Sequence, residues 1–471
     1  MLEGLMLIFA YAAMVWFAAK IYAGNKKLTK AGFLVADREV SMWKGAFSIA
    51  SCWVWAPSMF VAAQKSYQQG IVGLFWFTVP NVLCLILFAY FAVIIRDRVP
   101  NGYTLTGYME ELYGKRVHDA YLFQSVGLLI CSIGVQLLAG GKVISILTGL
   151  PFFWTTVLLA VIALSYSVLY GLRASVITDV LKISIIFGIG IILIPWAIHN
   201  GGGLETVWNG IGGFSGKFTD LFDSNGLLVF LSFGLPTTIG LMSGPFGDQA
   251  FWQRAFAVRK DHVKRAFIIG ALIFGMVPLL MSLLGFLGAG LKFIPKEVQF
   301  VNLEVILMLL PTWTAMLFAY MIMSGLISAL DSHMTAISSL GGHDLLNRML
   351  GKRVTEKQVI KWARMTVLVI TILAIGIANI PGMQILYLFL FYGTLRASTF
   401  LPTVITLLRK TPANEAGVFW GVVISICIGL PIFAYGNFSN NTTYIVIGSL
   451  LTVLASGVST LIGTSISIAR K

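Results

Sequence analysis

Eight ionisable side chains lie within long apolar runs of this 471-residue chain: Lys65, Lys142, Asp179, Lys182, Asp248, Arg254, Asp331 and Arg396. A charge at the centre of a membrane helix costs roughly 2.5 to 3.5 kcal/mol on insertion scales, so each needs a physical reason. Lys65, Lys182 and Arg254 have long stems that can carry the charge to an interface, and Arg254 begins the cytoplasmic end of its run. Asp179, in "GLRASVITDVLK", and Asp331, in "LISALDSHMTAISSL", are too short for that. Both are expected to face a wet cavity or a cation. Around Asp331, Ser324, Ser328, Ser332, Thr335, Ser338 and Ser339 return at helical intervals. Hydroxyls on one face of a membrane helix either glue helices together or coordinate an ion. The spacing leaves both open.

The elements that must position these groups are set by composition. Hydrophobic residues make up 58% and charged residues 11%, and the mean hydropathy is +0.87. That is the profile of an integral membrane protein, not of a soluble domain. Runs of about 20 apolar residues, long enough to cross the hydrocarbon core, fall near 2–23, 42–66, 72–95, 120–148, 151–170, 173–198, 227–253, 266–290, 304–340, 359–379, 383–408, 416–435 and 443–468. The expected fold is therefore all-α, with about 13 transmembrane helices. Little chain is left over, so no soluble catalytic, sensor or nucleic-acid-binding domain is expected.

The net charge of +14 reads as topology, because basic residues concentrate in cytoplasmic loops. With the N-terminus outside, one side receives Lys26, Lys27, Lys30, Arg96, Arg98, Lys115, Arg116, Arg259, Lys260, Lys264 and Arg265. The same side takes Lys352, Arg353, Lys357, Arg409, Lys410, Arg470 and Lys471. The other side holds Lys217, Lys292 and Lys296. The expected location is the cell membrane, with the C-terminus cytoplasmic. The first run has no basic residues ahead of it and reads as a mature helix, not a signal peptide. Cys52, Cys84, Cys131 and Cys427 all sit in apolar runs, without disulfide or zinc-site spacing.

Two runs are interrupted. "SIASCWVWAPSMF", residues 48–60, places Pro57 inside a span, and "MSGPFGDQAFWQRAF", residues 242–256, places a Gly-Pro pair before Asp248. Proline breaks the hydrogen-bond ladder, and irregular backbone at membrane depth survives only where it is buried or lines a cavity. Paired interruptions in two halves point to a transporter site. Five runs follow from each break, and five being odd, the halves have opposite topology: a 5+5 inverted repeat. The organisation expected is an extra helix and loop at 1–40, a first repeat at 41–198, an external loop at 199–226, a second repeat at 227–410 and two final helices at 411–471.

At this point the chain resembles the sodium/solute symporter family, which has the leucine-transporter fold. "GLRASVITDVLK", "GDQAFWQRAFAVRKDHVKRA" and "ISALDSHMTAISS" carry the resemblance, in the family's order. It implies a sodium site in which carbonyls of Ala50, Trp53 and Gly325 and the hydroxyl of Ser328 face the ion. The family's second hydroxyl is replaced by Ala329, which removes one oxygen ligand. In some members a further sodium site uses positions matching Asp179, Asp331 and Ser332, and proton coupling is the alternative. No other cofactor is implied. "WVWAPSMFVAAQKSYQQGIVGLFWF" and "GDQAFWQ" resemble the urea and polyamine branch. Flat faces and amides at Trp53, Trp55, Gln64, Tyr67 and Gln68, with Phe246, Asp248 and Gln249, suit a small planar polar solute such as urea. Lys65 speaks against a cationic one. The resemblance thus implies a symporter; an ion channel or a transporter-like sensor is the rival class, and no enzyme constellation is present in the sequence.

Overall fold

The computed structural model describes residues 2–24, 27–351, 354–383 and 385–469; Lys26, Lys352, Arg353, Arg470 and Lys471 of the topology argument lie outside them. The described chain is helical, with one isolated bridge between Val40 and Val258. Among the described residues ten helices are long and apolar enough to cross a membrane. Their outer faces carry Ile191, Ile192, Leu272 and Ile372, each more than half exposed. On a soluble protein such faces would aggregate; against lipid they are the expected surface.

We number the principal helices α1 (Leu2–Ala23), α2 (Met42–Trp53), α3 (Ala56–Arg98), α4 (Leu105–Tyr113), α5 (Lys115–Thr148), α6 (Phe152–Tyr170), α7 (Leu172–Asn200) and α8 (Ser224–Met242). They continue as α9 (Gln249–Ala257), α10 (Val263–Gly290), α11 (Thr314–Met349), α12 (Glu356–Ala378), α13 (Ile385–Leu408), α14 (Glu415–Phe438) and α15 (Thr442–Ala469). The runs at 42–66 and 72–95 are joined in α3, which loses helical geometry at Gln69 and Gly70. Gly70 has φ +55, and a Cβ there would lie 2.4 Å from the Ile211 carbonyl oxygen. Only glycine fits both demands.

Both expected interruptions are present. The first separates α2 from α3 at Val54 and Trp55, where Trp55 is extended at φ −121 and ψ 174. Pro57 has no N–H to return to the Trp53 carbonyl. Side chains satisfy neighbouring backbone groups instead: Ser58 Oγ accepts from Trp55 N (3.1 Å) and donates to Trp55 O (2.7 Å), and Gln136 Oε1 of α5 accepts from Ala56 N (2.8 Å). The second follows α8, where Gly244–Gly247 make a single turn and Asp248 is extended at φ −113 and ψ 113. Asp248 Oδ1 then caps α9 by accepting from Ala250 N at 2.9 Å, which satisfies one of the helix's orphan donors.

Candidate functional site

The two interruptions meet at one buried cluster of polar and aromatic side chains. Trp53 and Trp55, at the first, have ring centroids 5.6 Å apart, and Trp55 stands edge-on to Tyr392 of α13 at 4.9 Å. The guanidinium of Arg396, one turn further along α13, lies 4.1 Å from the Tyr392 ring and 5.0 and 5.5 Å from those of Trp53 and Trp55. Cation–π contacts of this kind strengthen when desolvated. Its Nη2 donates to Asp248 Oδ2 at 2.7 Å, and the same oxygen meets His333 Nε2 of α11 at 3.2 Å. Ser132 of α5 touches the other face of that imidazole, 3.1 Å from Nδ1. Trp53, Trp55, Asp248, His333, Tyr392 and Arg396 are all at most 2% exposed, so the cluster is shut off from solvent.

Glycines make the crowding possible. A Cβ on Gly244 would sit 2.4 Å from Trp53 Cη2 and 3.3 Å from Arg396 Nη1, and one on Gly247 would lie 2.9 Å from the Arg396 backbone. "SGPFG" is thus both a helix break and a close approach to α13.

A second buried cluster lies beside the first, where α2, α7, α9 and α11 meet. Asp179 of α7 accepts from Ser328 (2.5 Å), Ser48 (2.6 Å) and Arg254 Nη2 (3.1 Å). Arg254 also donates to Ser332 Oγ (2.6 Å), to Ser48 Oγ (3.0 Å) and to its own helix at Ala250 O (3.1 Å). Asp331 of α11 is bonded by Lys182 Nζ and Tyr166 OH in short contacts, and accepts from Ser175 at 3.0 Å. Lys182 further reaches Tyr166 OH (3.0 Å) and Thr178 Oγ1 (3.1 Å). All four charges are within 1% of full burial. Two carboxylates and two cations make the cluster neutral, the condition under which buried charge is tolerated.

The expected site residues divide accordingly. Asp179, Asp331, Ser328 and Ser332 converge, and Ser51 Oγ lies 2.6 Å from Ser328 Oγ, bringing the segment of Ala50 and Trp53 against that of Gly325. The Ala50 carbonyl accepts from Val54 N at 2.9 Å. Trp53, Trp55 and Asp248 belong to the first cluster. Phe246 packs edge-on against Phe88, Phe91 and Phe400 at 5.0 to 5.2 Å. Gln249 instead ties the segment after α3 to α11, donating to Tyr103 O (3.0 Å) and Ser339 Oγ (3.1 Å) and accepting from Leu105 N (3.1 Å). Tyr67 binds Phe293 O at 2.7 Å and stacks on Phe214, while Gln68 is exposed. Those last two belong to the far end of the first arm of α3, with Gln64 a turn before Gln68.

Several residues were not assigned these places by sequence reasoning. Lys182 and Arg254 were expected to reach an interface, and both are buried counter-ions instead. Lys182 follows Asp179 by three residues, so the two share a helix face; that spacing was the available signal. Gln136, His333 and Tyr392 carry no sequence signal of their own.

Three comparisons bear on this geometry. A sequence model described as the sodium:solute symporter family matches residues 33–425. The urea-proton symporter DUR3 of Oryza sativa subsp. japonica is 23% identical over 94% of this chain and 67% of its own length. The urea active transporter of Saccharomyces cerevisiae is 23% identical over 81% of this chain and 56% of its own. The chain therefore spans about half to two thirds of the length of these relatives. The sodium/pantothenate symporter of Haemophilus influenzae is 28% identical over 89% of this chain and 85% of its own. Among solved structures, a Na+-coupled sialic acid symporter in a substrate-bound outward-open state superposes with a TM-score of 0.73 at 16% identity, covering 98% of both chains. That likeness establishes the fold.

Proposed function

This chain belongs to the sodium:solute symporter family, and from that membership we propose that it is a secondary active transporter of a small polar solute such as urea, working in the cell membrane with its N-terminus outside. The observation that carries the reading is the meeting of two interrupted helices at one buried, polar and aromatic cluster, beside a neutral group of four buried charges. We read the elements as 13 spans, with the two interruptions as equivalent positions of a 5+5 inverted repeat at 41–198 and 227–410. Half-helix ends and unwound carbonyls at a repeat interface are the usual site of solute and ion in such carriers.

The coupling ion we favour is the proton. Asp179 and Asp331 are already neutralised by Arg254 and Lys182. A sodium ion or a proton entering beside them adds one buried charge alike, so charge balance does not separate the two ions. The proton is favoured because the relative from Oryza sativa is a urea-proton symporter. Proteoliposomes test this directly: uptake of labelled urea should rise with an imposed inward proton gradient, and persist when sodium is replaced by choline. Uptake that follows sodium alone would overturn the proton reading.

Sodium is the second reading, supported by the approach of Ser51 to Ser328 at the position the family uses. It has its own test. Ala329→Ser restores the missing oxygen to a hard cation, and one contact of about 1.4 kcal/mol corresponds to tenfold tighter sodium binding. Unchanged sodium dependence in that variant would leave the proton reading alone.

The solute site is tested through its glycine wall. Gly244→Ala drives a methyl group toward the Trp53 ring, and overpacking of this kind costs about 1–3 kcal/mol. Solute affinity, measured by competition, is expected to fall roughly 5- to 100-fold with the protein still folded. Wild-type affinity would place the solute elsewhere.

A further inference from the structure

We propose that Arg396 selects the solute, and that the solute is a small planar acyl compound whose oxygen accepts from donors the cluster leaves unused. The inference rests on the transport reading for its site and goes beyond it in naming the recognition chemistry. The uncommitted polar atoms are mostly donors, the exception being Tyr392 OH, which can donate or accept. Trp53 Nε1, Gln136 Nε2, and Nε and Nη1 of Arg396 have no hydrogen-bond partner among the described residues, and all three residues are 1% exposed. A buried donor left unsatisfied costs about 1–3 kcal/mol. Several of them in one cluster make it complementary to something that accepts.

The carboxylate and amide oxygens at the same place are already engaged. Asp248 Oδ1 takes Ala250 N, Asp248 Oδ2 takes Arg396 and meets His333, and Gln136 Oε1 takes Ala56 N. Asp248 therefore cannot serve as the counter-ion of an amine without giving up Arg396, which argues against polyamines and quaternary ammonium compounds. Arg396 is positioned in advance: Asp248 holds Nη2, Tyr392 lies against one face, and Nη1 comes close to Gly244, whose missing side chain leaves room for the Trp53 ring beside it. A guanidinium fixed in this way presents planar donors to a planar oxygen-bearing group. Trp53, Trp55 and Tyr392 supply rings on which a flat solute can lie. Urea, a simple amide and a carboxylate share this acyl chemistry and differ in charge.

The test is ligand binding to purified full-length protein in detergent, read by thermal shift and by competition. The probes are urea, acetamide, acetate and pantothenate, against putrescine, choline and glucose. Acyl probes are expected to stabilise the protein and the others not. Trp53→Phe keeps a ring and removes one donor, and should weaken acyl binding about 3- to 10-fold. Arg396→Lys keeps the charge that Asp248 needs but loses the planar donor set; it should weaken binding about 30-fold or more. Gln136→Glu keeps the acceptor for Ala56 N and adds negative charge, so it should weaken acetate and pantothenate far more than urea. The order of wild-type affinities among urea, acetamide and acetate identifies the charge class. Failure of every acyl probe to bind, binding of the non-acyl probes alone, or wild-type affinity in both Trp53→Phe and Arg396→Lys would overturn the proposal. Should Arg396→Lys fail to fold, Trp53→Phe decides. Acyl binding that depends on these residues without gradient-driven uptake would count against the transport reading and leave this inference standing. Coupled uptake indifferent to both variants would do the reverse.

Discussion

Lys182→Met is expected to destabilise the folded protein by about 3–5 kcal/mol and to abolish the response of uptake to a proton gradient. The substitution keeps the apolar stem and removes the one cation bonded to Asp331 among the described residues. Asp331 would retain Tyr166 and Ser175, but hydroxyls do not neutralise a carboxylate away from water. The loss is therefore mainly that of leaving one charge buried alone, which exceeds the worth of the pair itself. The double variant Lys182→Met/Asp331→Asn removes both charges and should regain most of the stability. It should not regain gradient dependence, since no titratable pair is left there. Thermal stability in detergent and gradient-driven uptake, measured on both variants, separate the structural from the coupling role. A Lys182→Met protein that still responds to the proton gradient would remove this pair from the mechanism.

Arg254→Gln is the second large expected effect. One guanidinium joins α9 to α2 through Ser48, to α7 through Asp179 and to α11 through Ser332. Those helices include the half-helices beside both interruptions, so the residue links the ion cluster to the aromatic one. Glutamine can replace only part of this donor set and none of the charge. A loss of about 3–5 kcal/mol is expected, together with loss of uptake. Arg254→Gln/Asp179→Asn should recover stability by removing the stranded carboxylate. A coupling energy near zero in this double-mutant cycle would mean that the two residues act independently.

What the sequence made legible follows from what each residue's environment demands. The interruptions could be read because Pro57 and the Gly-Pro pair act on the backbone itself, whatever surrounds them. Asp179 and Asp331 stood out because a short carboxylate in an apolar run has no escape to water. Their partners were harder to assign. A long stem lets lysine or arginine be either a counter-ion or an interfacial residue, and only the packing of α7 against α11 and of α9 against α2 decides. Lys182 and Arg254 were for that reason read at the interface. The cluster was half legible: its tryptophans adjoin a break, whereas Gln136 and Tyr392 come from helices with ordinary apolar patterns, and His333 lies in the hydroxyl-rich helix of Asp331 with nothing in the sequence to say which helix it meets. Gln249 shows the opposite limit. Its neighbour Asp248 faces the aromatic cluster, yet a helix start turns the next side chain toward Tyr103 and Ser339.

The most direct test of coupled transport is the pH inside proteoliposomes that contain the purified protein and a trapped fluorescent pH indicator, followed as urea is added outside without any imposed ion gradient. Solute-dependent acidification of the lumen is the result expected here, absent in empty liposomes and in Lys182→Met/Asp331→Asn. Uptake of labelled urea with no change in luminal pH, and with no dependence on sodium, would contradict coupled symport.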